Sequence, residues 1–337
     1  MSLNSLPAWN IKLQELIQFY IETTPPKTLG RLLRSFFLLN VAELKTVPAE
    51  WEEKVLHIIA MLELISQHDA IATLITETVQ AERIYLLGCS ISHLRTESIF
   101  AYNRPTRRHV SHYYMLVLVS KNDNCSYNSM LDKIESRCNS YLPVTAIVLD
   151  AMQFNDWLQE GHSFAYKVYE RAECIHDAGN VIFTAPKAID ENELNKKNET
   201  LYSQGINKTE EFLAGADLFR IREQNKMAAF MLHQAAEQAL ITFLQITTGL
   251  HLNTHSLDRL IRCGSMVSDK LALLFPRNNE KNERLFQLIQ KAYIDTRYRD
   301  DYTISIDNLL ILTERVRALE IIVKDTCVKL KEDTQSN

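Results

Sequence analysis

Ala228-Ala-Phe-Met-Leu-His-Gln-Ala-Ala-Glu-Gln-Ala-Leu240 decides how the C-terminal half of this chain folds. Ala, Leu, Met, Gln and Glu are strong helix formers, so the run predicts the middle of a long helix over Asn225–Thr248. Ala228, Ala229, Ala235, Ala236 and Ala239 leave small surfaces on which another helix can approach closely. His233 and Glu237 are four residues apart, share a helix face and can hydrogen-bond. Around this helix the apolar spacing predicts others over Lys208–Arg222, Asn279–Arg299 and Ile306–Lys331, with a looser one over Ser256–Phe275. In the last, Leu309, Leu312, Val316, Leu319, Val323 and Cys327 form a seam that needs a partner surface. An antiparallel helical bundle satisfies these faces together.

Upstream the period changes. Ile84-Tyr85-Leu86-Leu87-Gly88, Tyr113–Val119 and Val144–Leu149 are short apolar runs with turn signals, the pattern of buried strands. Helices over Ser129–Ser140 and Phe154–Gly161 lie between and after them, and Ala165–Ile175 leads to a fourth strand near Cys174–His176. Strands alternating with helices imply a small sheet covered by helices. Before it, apolar residues at helical spacing (Leu13, Leu16, Ile17 and Tyr20; Leu29, Leu32, Leu33 and Phe36; Trp51, Val55, Ile58 and Leu62) predict a helical preface. The polar stretch 190–206 has no sustained apolar face and reads as a linker. The expected class is therefore α+β: a helical region over 1–80, an α/β domain over 81–189, the linker, and a helical bundle over 207–331.

Composition narrows the classes of function. The 337 residues suffice for two compact domains, and 46% hydrophobic and 23% charged residues are ordinary for a globular protein. A net charge of −5 gives no global attraction for nucleic acid. No apolar run approaches the roughly 20 residues needed to cross a bilayer. Residues 1–10 lack the basic-then-apolar plan of a signal peptide. The six cysteines form no CxxC pair and read as reduced, buried thiols. The expectation is a cytoplasmic protein with no membrane contact.

The second informative run is Lys291-Ala-Tyr-Ile-Asp-Thr-Arg-Tyr-Arg-Asp-Asp-Tyr302. Asp295 and Arg299 are an i,i+4 pair, and Tyr293 lies one turn before Arg297. A helix end crowded with arginine and tyrosine can hold a phosphate and stack a base; it can equally be a terminus whose charges pair internally. His233 with Glu237 has a similar pair of readings, a ligand contact or a buried helix–helix histidine satisfied by the glutamate. His251 and His255 fall in a loop where Thr254 or Ser256 caps the next helix. Arg95, Arg104, Arg107, Arg108 and His109 make either a phosphate-binding patch or a solvated basic loop. The HxxH spacing of His109 and His112, with His93 nearby, lacks the fixed carboxylate or cysteine partners of a metal site, so no metal and no other cofactor is expected.

His-Gln-Ala-Ala-Glu at 233–237, Thr254-His255-Ser256-Leu257 and the Ala292–Tyr298 run together resemble the HEPN family, over roughly 207–325. The strand ending Leu86-Leu87-Gly88-Cys89-Ser90, followed by a second strand, resembles the minimal nucleotidyltransferase fold. The first resemblance implies a helical, nucleotide-associated domain that aids substrate binding and dimerises. The second implies a glycine turn holding nucleotide phosphates and strand carboxylates holding Mg²⁺. Here His112 and Tyr114 stand at the paired acidic positions, and the third strand has no acid before Asp150. HEPN ribonucleases place a histidine a few residues after the late arginine; Arg297 and Arg299 are followed by Asp300, Asp301 and Tyr302.

These departures make the first expectation a non-catalytic binder of a nucleotide or other phosphorylated ligand, a pseudo-nucleotidyltransferase joined to a HEPN domain. The ligand would sit in a cleft between the two. Gly88, Ser90, Arg104, Arg107 and Arg108 would line one side, with His233, Glu237, Arg297, Arg299 and Tyr302 on the bundle. An active transferase, a divergent ribonuclease and a protein-interaction scaffold are the alternatives. RNA ranks behind a mononucleotide as partner, and the bundle is expected to form a homodimer.

Overall fold

The computed structural model describes residues 67–91, 95–98, 110–120, 126–299 and 301–335. The chain divides into two compact units, 1–78 and 79–337. In the first, residues 67–76 are helical. The helices expected over 11–65 lie outside the described residues, as do Arg104, Arg107, Arg108 and His109.

The second unit opens with strands β1 (Ala81–Ile91), β2 (Arg95–Ser98) and β3 (Val110–Val119). Helix α1 (Tyr127–Asn139) crosses to β4 (Val144–Asp150), and α2 (Ala151–Glu160) and α3 (Ser163–Arg171) lead to β5 (Glu173–Asp177). The sheet order is β2–β1–β3–β4. β1 is antiparallel to β2 and β3, while β3 and β4 are parallel, as the helical crossover between them requires. β5 pairs with the first half of β1 and β2 with the second half. β3 is apolar from Tyr113 onward because it is central: Tyr113 to Val119 are all buried.

On the side of β4 away from β3, the Ala146 amide donates to Glu135 Oε1 from α1 at 3.0 Å. The Ala146 carbonyl accepts from Arg259 Nη2 at 3.0 Å.

The bundle comprises α4 (Glu191–Ile221), α5 (Asn225–Thr248), α6 (Leu257–Gly264), α7 (Lys270–Leu274), α8 (Glu280–Tyr298) and α9 (Ile306–Gln335). α5 is its axis and packs against α4, α6, α8 and α9. Its five alanines are fully buried. Where α4 crosses it, a Cβ on Gly205 would overlap Thr242 Oγ1, so glycine is needed for the approach. α5 ends at Gly249, in the left-handed region at φ 85° and tight against Ser163 at the start of α3. Lys167 of α3 donates to the Thr247 carbonyl at 3.0 Å, placing a cation at the negative end of the α5 dipole.

Four expectations change. The stretch 190–206 is the first half of α4 rather than an irregular linker. Asp190 caps it by accepting from the Asn192 and Glu193 amides, and Leu201 and Tyr202 pack on the core. β1 does not end at Gly88 but runs to Ile91 with partners on both sides, and Gly88 lies at a bulge. Cys174 is exposed, not buried. And sheet and bundle are packed together among the described residues rather than parted by a cleft: Tyr85, Leu87, Tyr114, Leu116 and Leu118 join one apolar core with Phe164, Leu240, Phe243 and Leu260. Nonpolar strand faces this extensive are driven to cover each other.

Candidate functional site

The polar groups of the bundle converge where α5, the loop before α6, and α8 meet. Glu237 is 4% exposed and faces two histidines. His233 Nε2 lies 3.3 Å from its Oε2, and His255 Nδ1 lies 3.0 and 3.2 Å from Oε1 and Oε2. His233 Nδ1 is 2.9 Å from the Ile289 carbonyl, which can only accept, so that nitrogen carries a proton. His255 Nδ1 donates to the carboxylate in the same way. Burial alone would raise the Glu237 carboxyl; the adjoining His233 and His255 rings outweigh it and hold the group below the usual range.

Tyr293 closes this array. Its ring stacks on His255 at 4.1 Å and on His233 at 5.4 Å. The Arg297 guanidinium lies 4.2 Å from the Tyr293 ring centre, and Arg297 Nε donates to the Tyr293 carbonyl at 2.8 Å. Arg297 is exposed and has no carboxylate partner among the described residues. The result is an exposed imidazole and an exposed guanidinium packed against one aromatic ring, backed by a buried carboxylate. Such a surface stacks a planar group and offers cationic hydrogen-bond donors to an oxyanion.

The other expected bundle residues behave differently. Arg299 pairs with Asp295 at 3.4 Å, and its carbonyl accepts from Lys226 at 2.8 Å. Tyr302 is buried and donates to the Leu288 carbonyl at 3.0 Å, so it fastens the return from α8 to α9. In the sheet, Ser90 is buried with its Oγ 3.0 Å from the Tyr114 hydroxyl. The backbone of Gly88 is paired within the sheet, so the phosphate-holding turn expected at Gly88 and Ser90 is not formed.

A second charged cluster joins sheet to bundle. His112 Nε2 lies 2.7 Å from Thr145 Oγ1, which accepts from Arg262 Nη1 at 3.0 Å. Arg262 also meets Glu135 Oε2 at 2.9 Å and Asp258 Oδ2 at 3.0 Å, and Asp258 bonds Arg277. Burial works against the Arg262 charge, but Glu135 and Asp258 overcome it and hold the guanidinium more firmly protonated. Burial likewise would raise Asp258, and Arg262 and Arg277 pull it down.

Sequence reasoning singled out His233, Glu237 and Arg297, which the structure brings together, but not His255, which reaches Glu237 across 18 residues of chain. Only a loop doubling back onto α5 brings them together, and no spacing rule encodes that. The Glu135–Arg262 pair spans 127 residues and was equally invisible.

Residues 79–337 thus form a mixed sheet sharing its core with a helical bundle that carries a histidine–glutamate–arginine face. Within it, residues 202–325 match the model of the HEPN domain. The match takes in the second half of α4, all of α5 to α8 and most of α9, and so contains the face entire. No curated protein matches the chain. Among the described residues, no helix is long and apolar enough to cross a membrane.

Proposed function

We propose that this protein is a non-catalytic receptor for a nucleotide or other phosphorylated ligand, bound on the HEPN face. The observation that carries the reading is the Arg297–Tyr293–His255 stack. Arg297 holds its guanidinium over an aromatic ring with no acid to neutralise it among the described residues, and His255 is fixed beside it by Glu237. A base or sugar packs on the ring system while the phosphate takes the guanidinium. Glu237 and His233 support the face from behind. Arg104, Arg107 and Arg108 remain proposed contributors of phosphate contacts.

The sheet layer fits a pseudo-nucleotidyltransferase. His112 and Tyr114 stand where that fold needs metal-binding acids, and Arg262 places a cation against Thr145 beside them. A fixed guanidinium there disfavours a divalent metal by charge repulsion. The protein is further proposed to be cytoplasmic and to pair as a homodimer through the bundle, which sedimentation of the purified chain tests.

The deciding experiment is thermal stabilisation by nucleotides and short oligonucleotides, with and without Mg²⁺. A ligand at a hundredfold excess over Kd adds about 2.7 kcal/mol to the native state. A metal-independent shift abolished by Arg297→Ala supports the receptor. No shift with any ligand would sink it in favour of a protein scaffold.

One observation favours a second reading, a divergent metal-independent ribonuclease. His255 Nδ1 is held by a buried carboxylate while the ring is exposed beside Arg297, the arrangement of a general acid–base group next to a phosphate clamp. RNA cleavage that survives chelator and is lost in His255→Ala would make this the better account.

A further inference from the structure

We infer that Glu135, a residue of the sheet layer, is a positioning residue for the His255–Tyr293–Arg297 face of the bundle; this rests on that face being the ligand site. Glu135 is 9% exposed, and both carboxylate oxygens are engaged. Oε1 takes the Ala146 amide at the sheet edge and lies 3.6 Å from Arg259 Nη1, while Oε2 takes Arg262. Both arginines belong to α6, three residues apart on one side of a helix of only two turns. So short a helix cannot hold its place through its own backbone hydrogen bonds. It is held by what its side chains grip.

Two connections run from α6 to the face. Its N-cap, Ser256, directly follows His255, so a movement of the helix is a movement of the imidazole. The Asp258 amide donates to Gln290 Oε1 of α8 at 3.0 Å, one turn before Tyr293. The Asp258 carboxylate holds Arg277, whose guanidinium lies 4.0 Å from the ring centre of Phe286, also on α8. Both halves of the Tyr293–His255 stack are thereby referred to one carboxylate in the other layer. Without Glu135, two mostly buried guanidinium groups lose the acid they share, and the Ala146 amide loses its acceptor. Buried charges left without a partner draw water. α6 relaxes outward to admit it, and His255 slides off Tyr293.

The test reads the stack directly in the full-length protein. Tyr293 at 4.1 Å imposes a ring-current shift on the His255 ring protons, which proton NMR resolves without ligand. Glu135→Ala is expected to move those signals toward the values of a free imidazole and to weaken nucleotide affinity by about two- to thirtyfold, the range spanned by coupling through packed networks. Arg83→Ala, which removes an ion pair with Asp177 at the opposite side of the sheet, is the stability control and is expected to leave both unchanged. Should Glu135→Ala fail to fold, Arg262→Lys keeps a cation that cannot hold both Glu135 and Asp258, and the same shift is expected. An unmoved His255 signal in the folded variant overturns the positioning role. Absence of nucleotide binding by the unaltered protein overturns the ligand reading and leaves the NMR result standing.

Discussion

The sheet and the bundle meet the same problem, a polar group in an apolar interior, with opposite solutions. In the sheet layer the polar groups close on one another: Ser90 with Tyr114, His112 with Thr145, Glu135 with the edge of β4. In the bundle the buried carboxylate of Glu237 holds a histidine that remains exposed, and Arg297 beside it has no acid of its own among the described residues. A network that uses up its own donors stabilises. One that leaves a cation and an imidazole facing water is available to a ligand. The contrast is what supports reading the bundle as the proposed ligand face and the sheet as its support.

The strongest way to break that contrast is to damage each core separately. Phe243→Ala in α5 and Leu116→Ala in β3 should each cost about 2–5 kcal/mol, since both side chains are fully buried. Because both belong to one apolar core, each is expected to lower a single thermal transition followed by circular dichroism. Two separate transitions would make the sheet and bundle independent. Next in size, Gly205→Leu should lower stability by roughly 1–3 kcal/mol by forcing α4 away from Thr242, with α-helical content retained.

Arg297→Ala should weaken nucleotide binding by tenfold or more, while its stability stays within about 0.5 kcal/mol of the parent, as for an exposed side chain. Tyr302→Phe should do the converse, losing roughly 1 kcal/mol with affinity intact, because its hydroxyl is bonded to the Leu288 carbonyl. If the two variants exchanged these behaviours, the division of labour would be reversed.

Acid titration sharpens the comparison further. Glu237 and Asp258 lie below the ordinary carboxylate range, so the unfolded chain takes up protons first as pH falls. Their contribution is complete above that range and is lost as pH drops through it toward the folded values. His162, stacked on Trp157 and pushed down to about 4 by burial with Lys197 adding to it, extends the loss upward. Its share is present above 6.5 and disappears as pH falls from there toward 4. Urea unfolding of His162→Phe should therefore show a flatter dependence between those values than the parent. The smallest effect is a gain: Glu223 has φ 61° in the turn between α4 and α5, and Glu223→Gly should add up to about 1 kcal/mol by relieving it.

The bundle was far more legible in the sequence than the sheet's edges or the site. α5 begins and ends at the residues its apolar spacing predicts, Asn225 and Thr248. β2 was not foreseen, because Arg-Thr-Glu-Ser has no apolar alternation and becomes a strand only when β1 offers it a paired edge. The start of α4 was hidden for a related reason: its helix is fixed by a cap at Asp190 and by two side chains far along it. Local pattern reports what a segment can form. Where His255 and Glu135 end up depends on contacts formed only after the segments have met.

The Glu135–Arg259 clamp on Ala146 has a consequence for association between molecules. An uncovered outer strand is a template onto which another chain can add, and β4 is the outer strand at that end of the sheet. Any strand docking there must first displace both groups from Ala146 and disturb the ion pairs that Glu135 makes with Arg259 and Arg262. Among the described residues the edge is thus closed by charge rather than by a further strand, which guards that side of the sheet against end-to-end addition.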